Sequence, residues 1–336
     1  MRLLALNLLT SAVTLVILGA LSVPAMRILG ERAASPTAAA VAVDSPRQAF
    51  GVYVDPWHVD DWTRAIGAAP QLVAKFEAFS NGRTIDAFLA ENERQGVRQV
   101  MVTWEPWKPV PTSLGTAVQF VEQPGYRNSD IVRGAQDAYI ERFARSLATF
   151  HGTVWLRYAH EMNGYWYPWS HGPRNYVRAW RHVVEVVRRA GAHNVRFVWS
   201  PNPNLFQPLA SWWQGVWTYW PGDRWVDAVG STMINFGGRK RYPVQRFVPR
   251  LEVLRRGFHK PVILAETNTD FTGRVEWLRD LHRLLGASPW IRAVVWSQLP
   301  SRGMAHTRGA GRLNWDVQRD PPSAAILRAI IRDGER

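Results

Sequence analysis

Short apolar runs recur along this chain, and stretches with helical spacing lie between them. The runs are rich in β-branched and aromatic residues, as buried strands are. They cover residues 50–54, 71–79, 97–104, 153–159, 195–199, 225–234, 261–265 and 291–296. Helical spacing covers residues 60–66, 84–95, 130–150, 175–190, 244–255, 274–285 and 323–332. This alternation predicts an α/β fold, a single (β/α)8 TIM barrel, over residues 49–336.

Polar side chains follow several of the predicted strands, at the end of the barrel where active sites lie. After the strand at residues 153–159 the chain continues with His160, Glu161 and Asn163, and indole rings come next. A carboxyl group in such surroundings can hold or accept a proton, and flat rings can stack on sugar faces. Ion pairing of Glu161 with Arg157 or His160 is the alternative. Other strand ends carry Asp55, Glu105, Asn202, Asn235 and Glu266.

The segment around Glu161 resembles the acid/base segment of glycoside hydrolase family 26, the β-mannanase family. It matches that pattern at Arg157, at residues 160–164 (His-Glu-Met-Asn-Gly), at Trp166 and at Trp169. Residues 260–267 (Lys-Pro-Val-Ile-Leu-Ala-Glu-Thr) resemble the nucleophile strand of the same family, and the resemblance extends from Phe50 onward.

The resemblance implies a retaining endo-β-glycosidase with Glu161 as acid/base and Glu266 as nucleophile. It implies a β-linked polysaccharide substrate, β-mannan first, and no cofactor. From their places near strand ends, further residues are expected to bind substrate: His160, Trp166, Arg157, Asn202, Trp296, Trp104, Glu105 and Asn235. An ion pair with Arg157 is the alternative for Glu105. No metal is expected at His160, because no paired ligand spacing accompanies it.

The chain departs from the family pattern after the sixth predicted strand. Ile234 stands where the family usually has a tyrosine that hydrogen-bonds the nucleophile. This departure favours two alternatives: a family member acting on β-glucan or β-xylan, or a catalytically weak polysaccharide-binding or exopolysaccharide-processing protein at the cell envelope. Retention of both carboxyls, Glu161 and Glu266, favours an enzyme.

Charge and composition exclude several other functions. The formal net charge is +14, from 41 Lys and Arg against 27 Asp and Glu, but the arginines are scattered. Without a clustered basic face or a known motif, no nucleic-acid partner is expected. The chain has no cysteine, which excludes disulfides and thiolate catalysis.

The N-terminus predicts export from the cytoplasm. After Arg2, residues 3–26 form an uncharged and mostly apolar run, so residues 1–26 are expected to be a signal peptide or a membrane anchor. Residues 27–48 contain a flexible stretch of alanine, proline and serine. We therefore expect an extracytoplasmic monomer, secreted or anchored, that meets the membrane only through its N-terminal segment.

Overall fold

The computed structural model describes residues 48–109, 122–237, 242–298 and 316–336. The predicted targeting segment and nearly all of the predicted linker lie outside these residues. Across the described ranges, no helix is both long enough and apolar enough to cross a membrane.

Eight parallel strands form a closed barrel in chain order, which confirms the predicted fold. Each strand pairs with its neighbours in sequence, and the last pairs with the first. The strands are β1 (Ala49–Tyr53), β2 (Leu72–Ala78), β3 (Gln99–Glu105), β4 (Thr153–Tyr158), β5 (Val195–Trp199), β6 (Ala228–Asn235), β7 (Val262–Thr269) and β8 (Ile291–Ser297).

Helices follow the strands along the chain. They are α1 (Val59–Ile66), α2 (Asp86–Arg94), α3 (Asn128–Val132), α4 (Asp137–Ala148), α5 (Pro173–Arg189), α6 (Leu209–Trp217), α7 (Val248–Phe258), α8 (Arg274–Ala287) and α9 (Pro321–Glu335). The single helix predicted over residues 130–150 is wrong, because Gly134 between α3 and α4 has a φ of +85° that interrupts it. Helix α6 lies in an aromatic-rich segment for which no helix was predicted.

Alternate residues of each strand point into the barrel or out toward the helices. The interior contains mainly small and aliphatic side chains, among them Ala74, Met101, Val198, Ile263 and Val295. The outward residues pack in two larger clusters, one including Trp104, Phe143 and Trp180 and the other Trp62, Leu278 and Trp296. A strand residue can therefore reach the active-site mouth only if its side chain points into the barrel.

One irregularity changes this alternation at the end of β7. Strands β6 and β7 pair up to Ser231 and Leu264 and again from Thr232 and Glu266, so that Ala265 has no partner on β6. Such a bulge lets two consecutive residues face the same side. Ala265 belongs to the interior cluster, and Glu266 also bonds inside the barrel.

Candidate active site

The backbone after β4 is strained where it presents Glu161. Ala159 and Glu161 have positive φ values, 44° and 54°, which residues other than glycine rarely adopt. Hydrogen bonds to both neighbouring strands hold this conformation: the Ala159 N–H donates to the Trp104 carbonyl at 3.0 Å, and the Glu161 N–H donates to the Ser200 carbonyl at 2.7 Å. Such strain persists where the surroundings fix it, and it is frequent at active sites.

Both carboxyl oxygens of Glu161 accept a hydrogen bond. The Thr232 hydroxyl donates to Oε1 at 2.6 Å, and the Trp166 indole donates to Oε2 at 3.0 Å. Gly164 makes room for this arrangement, because a Cβ there would lie 2.6 Å from the Trp166 ring. Glu161 is thus fixed on two sides and is 8% exposed. Trp166 remains partly exposed beside it, where sugar stacking was predicted.

Glu266 is held by a buried arginine. Arg157 Nη1 donates to Glu266 Oε1 at 2.5 Å, and Arg157 is completely buried. Burial raises the pKa of Glu266, the Arg157 charge opposes this, and the Glu161 charge adds to it. Arg157 therefore positions Glu266 and favours its ionised form. It lies too deep to bind substrate directly, contrary to the sequence-based expectation.

Arg157 and Thr232 connect the two carboxyls. Arg157 Nη2 donates to the Thr232 hydroxyl at 3.2 Å, so the Thr232 hydrogen is free to point at Glu161. Below the guanidinium, Thr103 accepts from Arg157 Nη1 at 3.4 Å and lies 2.9 Å from the Tyr53 hydroxyl. The sequence did not predict a role for these hydroxyl groups. Their positions on the strands, which place them on the side facing the barrel interior, could have indicated that they lie near the site.

A neutral histidine orients a phenol toward the same site. His160 Nε2 lies 3.0 Å from the Tyr167 oxygen, while Nδ1 is buried with no partner among the described residues. Burial, and then the Arg157 charge, lower the pKa of His160 well below its ordinary value, so the ring carries one N–H. An orphaned N–H is rarer in proteins than an orphaned acceptor. We therefore infer that Nε2 donates to Tyr167, which leaves the Tyr167 hydrogen free.

Tyr167 is a further residue of the site that the sequence did not predict. Its ring stacks on Trp169 with centroids 4.3 Å apart and meets Trp107 edge-on at 5.7 Å. Burial raises its pKa well above the ordinary value, and the charges of Glu161, Glu105 and Glu266 act in the same direction. The phenol is thus a neutral donor that lies among three carboxyl groups.

Glu105 ends β3 inside the barrel mouth. Met101, Thr103 and Glu105 are alternate residues of β3 and therefore face the same side. Since Met101 and Thr103 face the barrel interior, Glu105 does too. It is 8% exposed, and Trp107 Nε1 donates to its Oε2 at 3.2 Å. The predicted alternative, an ion pair with Arg157, is not formed in the described residues. Burial raises the pKa of Glu105 to about 8.

Two tryptophans predicted to bind substrate lie elsewhere. Trp104 is completely buried on the outward side of β3, where its ring stacks on Phe143 at 4.6 Å and its indole donates to Tyr139. It cannot share the mouth with Glu105, since consecutive strand residues face opposite sides. Trp296 is likewise completely buried, in the outward cluster with Leu278. Neither ring offers an exposed face to a sugar.

The two predicted asparagines shape loops. Asn235 is 3% exposed, donates to Thr269 and accepts from the backbone N–H groups of Gly237 and Tyr242. Its amide therefore stabilises the loop after β6 instead of facing a substrate. Asn202 is partly exposed and its side chain accepts from the Asn204 N–H at 2.8 Å. Among the described residues, no hydrogen bond joins it to Glu161 or Glu266.

A cleft of about 1030 Å³ opens beside this site on the β1–β2 side. Tyr53 and Phe76 line its inner end, and Phe76 lies edge-on to His160 at 6.1 Å. Trp57, which is 59% exposed, lies at its outer end. Within the described ranges, neither Glu161 nor Glu266 lines this cleft.

A barrel with acid groups at the ends of β4 and β7 defines a class, the glycoside hydrolases with a TIM-barrel catalytic domain. Comparisons with known proteins point to one family within this class. Residues 100–240, a range that contains Glu161, match the model of Glycosyl hydrolase family 26. Over these residues, which are less than half of the chain, the sequence is similar to that of a family 26 catalytic domain.

Two curated relatives share sequence with this chain. Endoglucanase H of Acetivibrio thermocellus is 29% identical over 250 residues, which are 70% of this chain and 24% of that protein. Beta-1,3-xylanase TXYA of a Vibrio species is 30% identical over 177 residues, 51% of this chain and 35% of that protein. The matched regions thus span about a quarter and about a third of the lengths of these relatives.

Among solved structures, a family 26 β-mannanase from Bacteroides ovatus matches with a TM-score of 0.60 at 17% identity. The match covers 86% of this chain and 89% of that chain. At this identity the likeness supports the fold alone.

Proposed function

We propose that this protein is a retaining endo-β-glycosidase that hydrolyses a β-linked polysaccharide. The observation that carries the proposal is the connection of Glu161 to Glu266 through Thr232 and Arg157. Two carboxyl groups held over one site are what double displacement at a sugar carbon requires.

Each group has a defined task in this mechanism. Glu266, whose ionised form Arg157 favours, attacks the anomeric carbon while Glu161 gives a proton to the leaving oxygen. Glu161 then takes a proton from the water that cleaves the glycosyl-enzyme bond. Thr232 and Trp166 donate to its two oxygens and hold the carboxyl group in one orientation for both steps.

β-Mannan remains the first candidate substrate, from the family resemblance. The endoglucanase and the β-1,3-xylanase among the relatives make β-glucan and β-xylan the next candidates. A cleft of about 1030 Å³ beside the site, lined by Tyr53, Phe76 and Trp57, supports attack within a chain rather than at its end.

The test is incubation of the protein with β-mannan, mixed-linkage β-glucan and β-xylan. We expect new reducing ends from at least one polymer, with an early loss of viscosity. Glu161→Gln and Glu266→Gln should each lower kcat by about 10²–10⁴, whereas Glu276→Gln, on the exposed side of α8, should not. With azide, Glu266→Ala should give an α-glycosyl azide and Glu161→Ala a β-glycosyl azide.

A catalytically weak polysaccharide-binding protein is the second candidate, favoured by Ile234. This side chain is 4% exposed and offers Glu266 no hydrogen bond. Retention of polymer without release of reducing ends, by the wild-type protein on all three substrates, would establish this second function and exclude the first.

We also propose that the protein is an extracytoplasmic monomer, secreted or anchored by residues 1–26. The support is the apolar run at residues 3–26. Cell fractionation, N-terminal sequencing of the mature protein and light scattering test the location, the cleavage and the oligomeric state. Recovery in the cytoplasmic fraction would contradict the proposed location.

A further inference from the structure

Glu105 has no role in the mechanism above, although it is a buried carboxyl group in the same mouth. It ends β3 one inward position above Thr103, which bonds to Arg157. The Trp107 indole occupies Oε2, and Oε1 receives no hydrogen bond from the described residues. Trp107 itself is fixed edge-on against the stacked rings of Tyr167 and Trp169. One side of the carboxyl is thus held by the protein, while the other is available.

The charges around Glu105 disfavour its ionised form. No lysine, arginine or histidine in the described ranges forms an ion pair with it, and Arg157, the nearest cation that acts on it, is paired with Glu266. Glu266 and Glu77 add negative charge. Glu77, on β2, is paired with Lys75 and Arg83. Burial therefore dominates, and the pKa of Glu105 is raised to about 8.

A protonated Glu105 differs chemically from an ionised carboxylate. Ionised carboxylates only accept hydrogen bonds, whereas the protonated acid has one O–H to donate. The hydroxyl oxygens of a sugar accept such bonds. A neutral acid beside Glu266 also spares the site a further negative charge, which would oppose ionisation of the nucleophile.

We propose that Glu105 is a substrate-binding carboxylic acid that remains protonated at neutral pH and that its O–H donates a hydrogen bond to a hydroxyl oxygen of the sugar beside Glu266. This inference rests on the proposed function for its ligand, a sugar unit of a β-linked polysaccharide. The protonation state belongs to the free protein and does not depend on the substrate.

The first test therefore needs no activity. Infrared difference spectra between pH 6 and pH 10 report loss of the C=O band of protonated carboxyls. We expect the wild-type protein to lose a C=O band as the pH rises through this range. The matched surface variant Glu276→Gln should lose the same band, whereas Glu105→Gln should have no such band at either pH. A wild-type spectrum identical to that of Glu105→Gln would overturn the proposal, whatever the substrate proves to be.

The second test uses the best polymer from the substrate panel. Glu105→Gln keeps an N–H donor, so its KM should rise about threefold or less, whereas Glu105→Leu should raise KM about tenfold or more. The alkaline rise of KM near pH 8 should be absent in Glu105→Gln. Equal KM increases in both variants would show an ionised acceptor instead. Azide rescue of Glu105→Ala would make it the acid/base, and would also overturn the proposal.

If no polymer is cleaved while the infrared band behaves as expected, the proposed function fails and the protonated Glu105 stands. If a polymer is cleaved but the infrared spectra show no band difference, the proposed function stands and the protonated Glu105 is excluded.

Discussion

The hydroxyl of Thr232 lies 2.6 Å from Oε1 of Glu161, and the hydrogen of this hydroxyl is committed to Glu161 because Arg157 donates to its oxygen from the other side. Thr232, on β6, therefore orients Glu161, which follows β4, and also contacts the arginine that holds Glu266 on β7.

Thr232→Val removes this hydroxyl at nearly constant volume. A hydrogen bond to a charged group contributes about 1.5–3 kcal/mol, so kcat should fall about 10- to 100-fold while KM changes little. Thr232→Ser should restore most of the rate. The control is Thr218→Val, which removes a hydroxyl that donates to the Gly215 carbonyl at the end of α6. Similar rates for Thr232→Val and the wild-type protein would exclude this role.

Arg157→Met should affect the nucleophile and the fold together. Breaking a buried ion pair by removing one partner costs about 3–5 kcal/mol, which thermal unfolding would detect. Glu266 must be ionised to attack, and loss of the positive charge raises its pKa further. The acid limb of kcat/KM should therefore move to higher pH. An acid limb that stays in place in a folded variant would contradict the assignment.

Tyr167→Phe tests the phenol that His160 orients. The stacked ring remains, so the fold should lose only about 1–3 kcal/mol for the unpaired His160 nitrogen, while kcat/KM should fall about tenfold. Tyr219→Phe removes a comparable hydrogen bond, to the Ser170 carbonyl, away from the carboxyl groups. If both variants lose stability and neither loses kcat/KM, Tyr167 has a structural role only.

Ile234→Tyr restores the phenol that the family usually has on β6. Ile234 pairs with Asn268 of β7 and is 4% exposed, so a larger ring must displace its surroundings, at a cost of about 1–3 kcal/mol. Arg157 already binds Glu266 Oε1. We therefore expect a less stable protein that is no faster on any β-glycan. A faster variant would show that Glu266 lacks a donor.

Glu105→Gln should change how stability depends on pH. Between the ordinary glutamate pKa of 4.5 and about 8, the folded protein retains a proton on Glu105 that the unfolded chain has released. The free energy of unfolding therefore falls as pH rises through this window. The melting temperature of Glu105→Gln, relative to wild type, should rise from pH 4.5 to pH 8 and then level off. A constant difference would contradict the raised pKa.

Comparison of the predicted and observed positions shows where sequence reasoning stopped. Alternation of strands and helices predicted the barrel, and the motif around Glu161 indicated one carboxyl of the site. The alternation of side chains within a strand could also have shown that Glu105 and Trp104 do not share a site, since consecutive strand residues face opposite sides of the barrel wall. The hydroxyls of Thr103 and Thr232 carry no motif, and only their neighbours across the barrel give them a role.

The sequence by itself determined the order of the strands and which carboxyl groups end them, because apolar runs and their polar ends are local properties of the chain. Only the tertiary structure decided which way those groups point. The bulge at Ala265 turns Glu266 inward, and the strained backbone at Glu161 is fixed by carbonyls of β3 and of the residue after β5. Both depend on contacts between strands that are far apart in the chain. The buried positions of Arg157 and Trp296 were decided there too, since burial is set by what packs around a residue.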